Sequence, residues 1–434
     1  MKHIINYPAP LPLWQRILFR FFSVYLLLHV FAKPFFEDVP VFSTIAIAQH
    51  YICFVSVNFF NTYVLHFADK LAPIPLSTDA LFNYAQLLLF LSVAAVGTVV
   101  WSLTDSGRKP DNSCFYVVTV VRYFLAYVSF MYGIIKLYGL QMPFPTLTEM
   151  ATPFGDFTPM KLLWHTTGYS AGYQKFSGLM EFMVGVLLMY RRTVTLGVLL
   201  ALGVYINVFL LNLSYDIPIK IFSFHLVLMC LFLLIMDSKR LFNFFIFNKP
   251  AAQSVVYSLC PSKLIKFRPV AKIIFVLSVM YLIAGPFNAQ KRQQETAIKE
   301  IKPIPHGLYN VITFVKNGDT LPVLAKDTLI WKDIIFERGN KYATVNSADT
   351  LFKPLYNRGF FYYKADTLAN TMTGYKYTES RKQVIFNLKY KLSDNKEQVK
   401  MWIALKKDSL YIELNKNEKQ FKLSQKQFHW ITED

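Results

Sequence analysis

The stretch LNLSYDIPIKIFSFHL, residues 211–226, sets Asn212, Tyr215, Asp216, Lys220 and His225 between two of the most apolar runs of a 434-residue chain. A second stretch, VRYFLAYVSFMYGIIKL, carries Arg122, Ser129 and Lys136 seven residues apart, with Tyr132 beside them. A third, KFSGLMEFMVGVLLMYRR, places Glu181 four residues after Ser177 and four before Gly185. On helices these spacings put each set on one face. Amines, carboxylates, a phenol and an imidazole gathered in this way can relay protons or present a positive field to a lipid-soluble substrate. An ionisable group at the centre of a bilayer helix costs about 2.5–3.5 kcal/mol or more, so each of these residues is a candidate for function.

The elements that must position them are membrane helices. The chain is 54% hydrophobic and 17% aromatic, with 40 Phe, and only 17% charged, which is a poor description of a soluble globule. Apolar runs long enough to cross a hydrocarbon core of about 30 Å occur at Trp14–Phe31, Leu81–Leu103, Cys114–Ile135, Ala171–Met189, Thr193–Leu213, Ile219–Met236 and Val270–Phe287, predicting seven spans. The first run carries Arg16, Arg20 and His29 and has no small-residue cleavage site after it, so it is expected to stay in the protein rather than act as a signal peptide.

With the start of the chain cytoplasmic, one side receives Lys2, Arg16, Arg108, Lys109, Arg191, Arg192, Lys239, Arg240, Lys249, Lys263, Lys266, Arg268 and Lys272. The other receives Lys33, Lys70, Lys136, Lys161, Lys175 and Lys220. By the positive-inside rule this predicts an inner-membrane protein whose C-terminal part is periplasmic. An eighth span at Val41–Leu65 would move Arg16 and Arg20 to the sparse side, so that run reads as an amphipathic segment on the outer surface.

Residues 1–290 therefore read as a transmembrane helical domain and 291–306 as a polar, Pro-punctuated linker. Residues 307–434 alternate apolar with polar side chains and break at Asn-Gly-Asp, Ser-Asp-Asn and Asn-Lys-Asn-Glu turns. The fold class predicted is a polytopic all-α membrane bundle followed by an antiparallel β domain, a small barrel or sandwich, with Tyr309, Phe314, Trp331, Phe336, Trp402 and Trp430 as its aromatic core. The segment QMPFPTLTEMATPFGDFTPMKLLWHTTGYS, between the third and fourth spans, holds four prolines and two glycines and is expected to fold over the outer mouth of the bundle.

Several function classes are set aside. Cys53, Cys114, Cys230 and Cys260 form no CxxC, and His225 has no second histidine at i+3 or i+4, so no metal site is expected. No Gly-rich phosphate loop, HExxH or GxSxG occurs. The net charge of +19 is spread over loops and the β domain, which points to anionic lipid headgroups of the bilayer rather than to nucleic acid.

Arg122 lies eight residues into its span and Glu181 eight residues from the end of the next one, each about 12 Å deep at 1.5 Å per residue, which predicts an Arg122–Glu181 ion pair. The fifth span adds Gly203 and Asn207. Asn212 ends that span, Tyr215 and Asp216 turn the chain, and Asp216, Lys220 and Lys136 are expected to share an outward polar pocket with the Pro-rich segment. His225 is expected to hydrogen-bond between helices.

The strings VRYFLAYVSFMYGIIKL and KFSGLMEFMVGVLLMYRRTVTLGVLL resemble paired helices of the DoxX family, where an Arg leads to a Gly and a nearby Lys and the next helix carries a Glu, a Gly-containing face and a basic turn. With GDFTPMKLLW, LNLSYDIPIKIFSFHL and the terminal FHWI, the chain is similar to enlarged DoxX-like proteins of Bacteroidota. The core pattern covers residues 114–237. That resemblance implies a four-helix membrane core, related in architecture to membrane domains of the vitamin K-dependent carboxylase type. It also implies an association with quinone-linked sulfur oxidation or thiol-stress complexes. In the first expectation the chain is a redox component in which Arg122 and Lys136 give a positive field to a quinone and Glu181 holds Arg122 or relays a proton. In the alternative it is a transporter or assembly factor whose β domain binds a ligand or a membrane or periplasmic protein partner.

Overall fold

The computed structural model describes residues 12–32, 40–74, 77–104, 113–250, 267–299, 303–322, 330–338, 341–378, 381–405 and 408–425. Lys2, Lys33, Arg108, Lys109, Lys263, Lys266, Cys260 and Trp430 lie outside the described residues, as does the terminal FHWI. The chain divides into two compact units, Met1–Gln141 with Ala171–Phe287, and Met142–Ser170 with Asn288–Asp434.

The first unit is helical: α1 (Leu13–Phe31), α2 (Pro40–Phe60), α3 (Leu81–Thr104) and α4 (Ser113–Leu137). The second unit's inserted segment holds α5 (Leu147–Ala151) and α6 (Pro159–Tyr169). The first unit resumes with α7 (Ala171–Met189), α8 (Val194–Ser214), α9 (Lys220–Met236) and α10 (Ser238–Phe245), and α11 (Arg268–Lys299) leads out of it. Among the described residues, six helices are long and apolar enough to cross a membrane, or seven if the α9–α10 pair, bent by 78°, is one span. Residues 291–299, expected as linker, continue α11. Their sequence, KRQQETAIK, is too polar for a bilayer but rich in good helix formers, so the membrane span ends there and the helix does not.

Length and composition admit Ser43–Leu65 as a span and leave out Ala171–Met189, which carries Gln174, Lys175 and Glu181. Packing distinguishes them. α7 runs beside α4 along a seam of glycines described below. α1 and α3 are antiparallel neighbours, with Arg20 donating to Ser102 at 2.9 Å and Gly97 facing Val24. The connection between them therefore starts and finishes at one end of the bundle. Gln49, in the middle of α2, donates to the Phe31 carbonyl at the end of α1, and Phe54 stacks on Phe82 in the first turn of α3. Asn58 and Asn61 then fold the following chain back onto α2 through Leu71, Phe67 and Ala68. From Gln49 onward α2 stays at that end, which also holds the α8–α9 turn, since Thr78 donates to the Pro218 carbonyl. It is called the Pro218 end below. The opposite, Met189 end is where Lys272 of α11 donates to the Met189 carbonyl.

In the second unit the strands are β1 (Gly307–Lys316), β2 (Asp319–Leu321), β3 (Asp333–Phe336), β4 (Tyr342–Val345), β5 (Lys353–Leu355), β6 (Arg358–Asp366), β7 (Thr371–Thr378), β8 (Arg381–Leu392), β9 (Gln398–Ala404) and β10 (Ser409–Lys416). All pairings are antiparallel, and β10 returns to pair with β1 from Tyr309↔Lys416 to Lys316↔Leu410. Eight strands thus close into a barrel, with β2 and β5 as short additions on β1 and β6. Closure removes the exposed edges that a sandwich of this size would leave. The alternation of β9 and β10 turns Val399, Met401, Ile403, Leu410, Ile412 and Leu414 inward around Trp331, Tyr309 and Phe336. Trp402, expected in this core, faces out and is 45% exposed, because Met401 and Ile403 take the inward positions on its strand.

The Pro-rich segment belongs to this unit and packs on the barrel. Thr146 and Glu149 form a capping box at the start of α5. The buried Glu337 carboxylate accepts from the Thr148 amide at 2.7 Å and the Leu147 amide at 3.3 Å, and Thr148 bonds Thr344 at 2.9 Å. Tyr356 and Asn357 form the two-residue β5–β6 turn with φ of 50° and 57° and reach Glu149 and Asp156 at 3.1 and 2.8 Å. These partners lie some two hundred residues further along the chain, so nothing local in the segment pointed to them.

Candidate functional site

The α4–α7 seam is held close by glycine. A Cβ at Gly133 would lie 2.8 Å from the Phe182 nitrogen and 2.9 Å from the Gly178 oxygen, and one at Gly178 would lie 2.8 Å from Lys136 Cβ. Further along, Gly185 receives the ring of Phe130. That approach places Lys136 Nζ 2.5 Å from Glu181 Oε1, with the two side chains 9% and 3% exposed. Glu181 Oε2 is buried and has no hydrogen-bond partner among the described residues. Tyr132 and Tyr205 lie within electrostatic reach of the carboxylate, and Tyr205 bonds Ser129 at 2.5 Å, so α4, α7 and α8 converge on one polar cluster.

The expected partner of Glu181 was Arg122; the structure gives Lys136 instead. Depth arithmetic from the ends of the two spans assumed that the helices finish flush. The glycine contacts show that α4 overhangs α7 by roughly three turns at the Met189 end, so the same register sets Arg122 opposite the chain beyond Met189. Arg122 is buried there, its guanidinium 4.9 Å from the Tyr123 ring centre.

The opening stretch forms the α8–α9 turn. Asn212 donates to Ser223 at 2.9 Å, and the Tyr215 amide closes α8 on the Leu211 carbonyl. Asp216 takes φ of 49°, and its carboxylate lies 2.7 Å from Lys220 Nζ. Asp79 supplies what the sequence did not disclose: its carboxylate accepts the Lys220 and Ile221 amides, each at 3.0 Å, and pairs with Lys220 Nζ at 3.3 Å. An acidic acceptor at the positive end of a helix satisfies donors that otherwise have no intrahelical partner. Lys220 is thus shared by Asp79 and Asp216, and Lys136 is committed to Glu181. Asn207 and Gly203 face out from α8, with no atom within 4 Å of where a Gly203 Cβ would lie. They do not line the seam.

His225 is buried one turn and a half into α9. Its Nδ1 lies 2.6 Å from the Ile221 carbonyl and its Nε2 2.6 Å from the Tyr25 hydroxyl. The His29 ring stacks on it, with centroids 3.8 Å apart and planes at 6°. Tyr25, and His29 in its pairing with His225, were not expected as site residues, although their i, i+4 spacing on one helix face was the available signal. Among the described residues no group of three or more His, Cys, Asp or Glu could hold a metal ion, and Cys230 is a buried free thiol.

The barrel carries its own concavity. Thr371, Lys389, Trp402, Tyr411 and Val315 form a continuous outward cross-strand row over β7, β8, β9, β10 and β1, lining an open cavity of about 730 Å³.

Fold and site together define a class: a polytopic helical bundle with polar clusters between its helices, joined to a closed eight-stranded barrel. No family model matches the chain, and no solved structure matches it. Over 124 residues, 29% of this chain and 79% of the relative, it is 35% identical to the uncharacterized protein YwoB of Bacillus subtilis strain 168. The chain belongs to the same family as YwoB.

Proposed function

We propose that this is a DoxX-like inner-membrane protein, its barrel on the periplasmic side, whose bundle binds a lipid-soluble redox substrate of the quinone class. The observation that carries this reading is the Lys136–Glu181 pair with its unbonded Oε2, set beside two phenols. Burying an ion pair is costly, and a design that needed only helix docking would do as well with apolar side chains. A quinone carbonyl accepts from an amine or phenol, and reduction of the ring calls for proton donors at that place. Purified full-length protein in lipid nanodiscs should quench saturably on titration with a quinone. Tyr132→Phe and Lys136→Met should each weaken that binding at least tenfold. Absence of saturable binding together with no change in quinol turnover would remove the proposal.

A second reading rests on the barrel cavity. Its outward Trp402, Tyr411 and Lys389 suit a partner or ligand with apolar and acidic groups, as in an assembly factor or transporter subunit. Photo-crosslinking from position 402 in cells should recover a specific membrane or periplasmic protein, and recovery of none counts against it.

A further inference from the structure

A cavity of about 20 Å³ lies among Tyr25, His29, Thr78, Asn83, Gln86 and His225, where α1, α3 and α9 meet at the Pro218 end. That is room for one ordered water, and its lining is polar enough to hold one. The Asn83 Oδ1 atom is buried without a hydrogen-bond partner among the described residues, as expected if a water completes its bonding. We propose that Tyr25, His29 and His225 form a binding site for a single proton, delivered through a water in this cavity. The inference is independent of the quinone reading, since it stands whether or not a quinone binds at Lys136 and Glu181.

The hydrogen bonds fix the starting tautomer. The Ile221 carbonyl can only accept, so His225 Nδ1 carries the hydrogen, and Nε2 accepts from the Tyr25 hydroxyl. On loading, an O–H bond of a hydronium in the cavity breaks and an N–H bond forms at Nε2. A neutral water remains, and the Tyr25 oxygen turns from donor to acceptor. The parallel His29 ring, 3.8 Å away, sets the stoichiometry, because two imidazolium charges at that distance repel strongly in a medium of low dielectric. One imidazolium stacked on one neutral imidazole is the loaded state. Among the described residues, the surrounding segments also carry Asp79 and Lys220 toward the Pro218 end, Tyr132 behind Phe222, and Arg20, which donates to Ser102. Asp79 pairs with Lys220 at 3.3 Å, and Lys220 also serves Asp216.

The test is a titration of ¹⁵N-histidine-labelled full-length protein in lipid nanodiscs, followed by NMR from about pH 8.5 to 5, which brackets ordinary imidazole titration near 6.5. Signals of the pair are identified among the eight histidines by their loss in His29→Gln and His225→Gln. The expected result is that both imidazoles move together and gain one proton between them. A full proton on each ring, or none on either before the fold is lost, overturns the proposal. If the glutamine variants do not fold, Tyr25→Phe identifies the pair instead, and it should displace the midpoint of the shared titration. An unchanged midpoint would show that the phenol does not hold His225 and would equally overturn the site.

Discussion

The Lys136–Glu181 pair decides the energetics of the α4–α7 seam at the scale of single residues. Either charge alone would be stranded in a dry environment, so Lys136→Met or Glu181→Leu should each destabilise the folded protein by about 3–5 kcal/mol. The double variant should recover most of that loss, because two apolar side chains in place of the pair leave no buried charge behind. Thermal unfolding of the four proteins in the same detergent provides the comparison. If the double variant is no better than the worse single one, the residues do not act as a pair. Arg122 should behave differently: Arg122→Met should show no coupling to Glu181 in the same cycle, since the register puts it about three turns away. The residue types at this site were legible from the sequence, because ionisable side chains inside apolar runs stand out. Their pairing was not, because it depends on how far one helix slides past another, and that offset is set by glycines packing against backbone.

The same glycines set the separation of whole elements. Gly133 and Gly178 meet backbone atoms of the facing helix at 2.8–3.0 Å from a would-be Cβ, and backbone cannot rotate aside as a side chain can. Gly133→Ala should therefore push α4 and α7 apart, at a cost of about 1–3 kcal/mol, and lengthen the Lys136–Glu181 contact. Gly203→Ala, on an open face of α8, should cost nothing measurable, and equal losses in the two variants would refute the close-approach account. In the barrel Gly374 has a related role: the Phe386 ring lies over it, 2.4 Å from where a Cβ would be, at the bulge between Gly374 and Tyr375. Gly374→Val should lower barrel stability by a comparable amount, read by unfolding of the full chain. Periodicity identified most of these elements, because runs of about twenty apolar residues and period-two alternation have few other readings. It could not identify α5 and α6. Their short amphipathic turns fold against Glu337, Thr344 and Tyr356, and the sequence gives no sign that residues 142–170 belong with a domain beginning at Gly307.

For the molecule as a whole, that discontinuity matters most, because the segment between α4 and α7 is built into the same compact unit as the barrel. The clasp around Glu149 therefore acts within the barrel's own unit, on chain that continues in sequence into α4 and α7. Burial opposes ionisation of Glu149, but the Thr146 amide and hydroxyl, Lys161 and His165 outweigh it and hold the carboxyl below its ordinary range. The clasp is then fully present above the ordinary carboxylate range and is lost as the pH falls through the lower folded value. His165 moves the same way: burial, reinforced by Lys161 and opposed by Glu149, holds its imidazole below the usual value. The undocked segment binds that proton more readily, so stability falls as the pH drops below about 6.5. Acidification should loosen the clasp in two stages, the first removed by His165→Gln and the second by Glu149→Gln. Hydrogen-exchange protection of the Thr146 amide, which donates to Glu149 at 2.9 Å, provides the readout. Protection that stays level as the pH is taken from 8 down through and below the ordinary carboxylate range, with intrinsic exchange rates accounted for, would show that the carboxylate does not hold the segment. The bonds of Glu337 and Thr344 to Leu147 and Thr148 would then have to dock it.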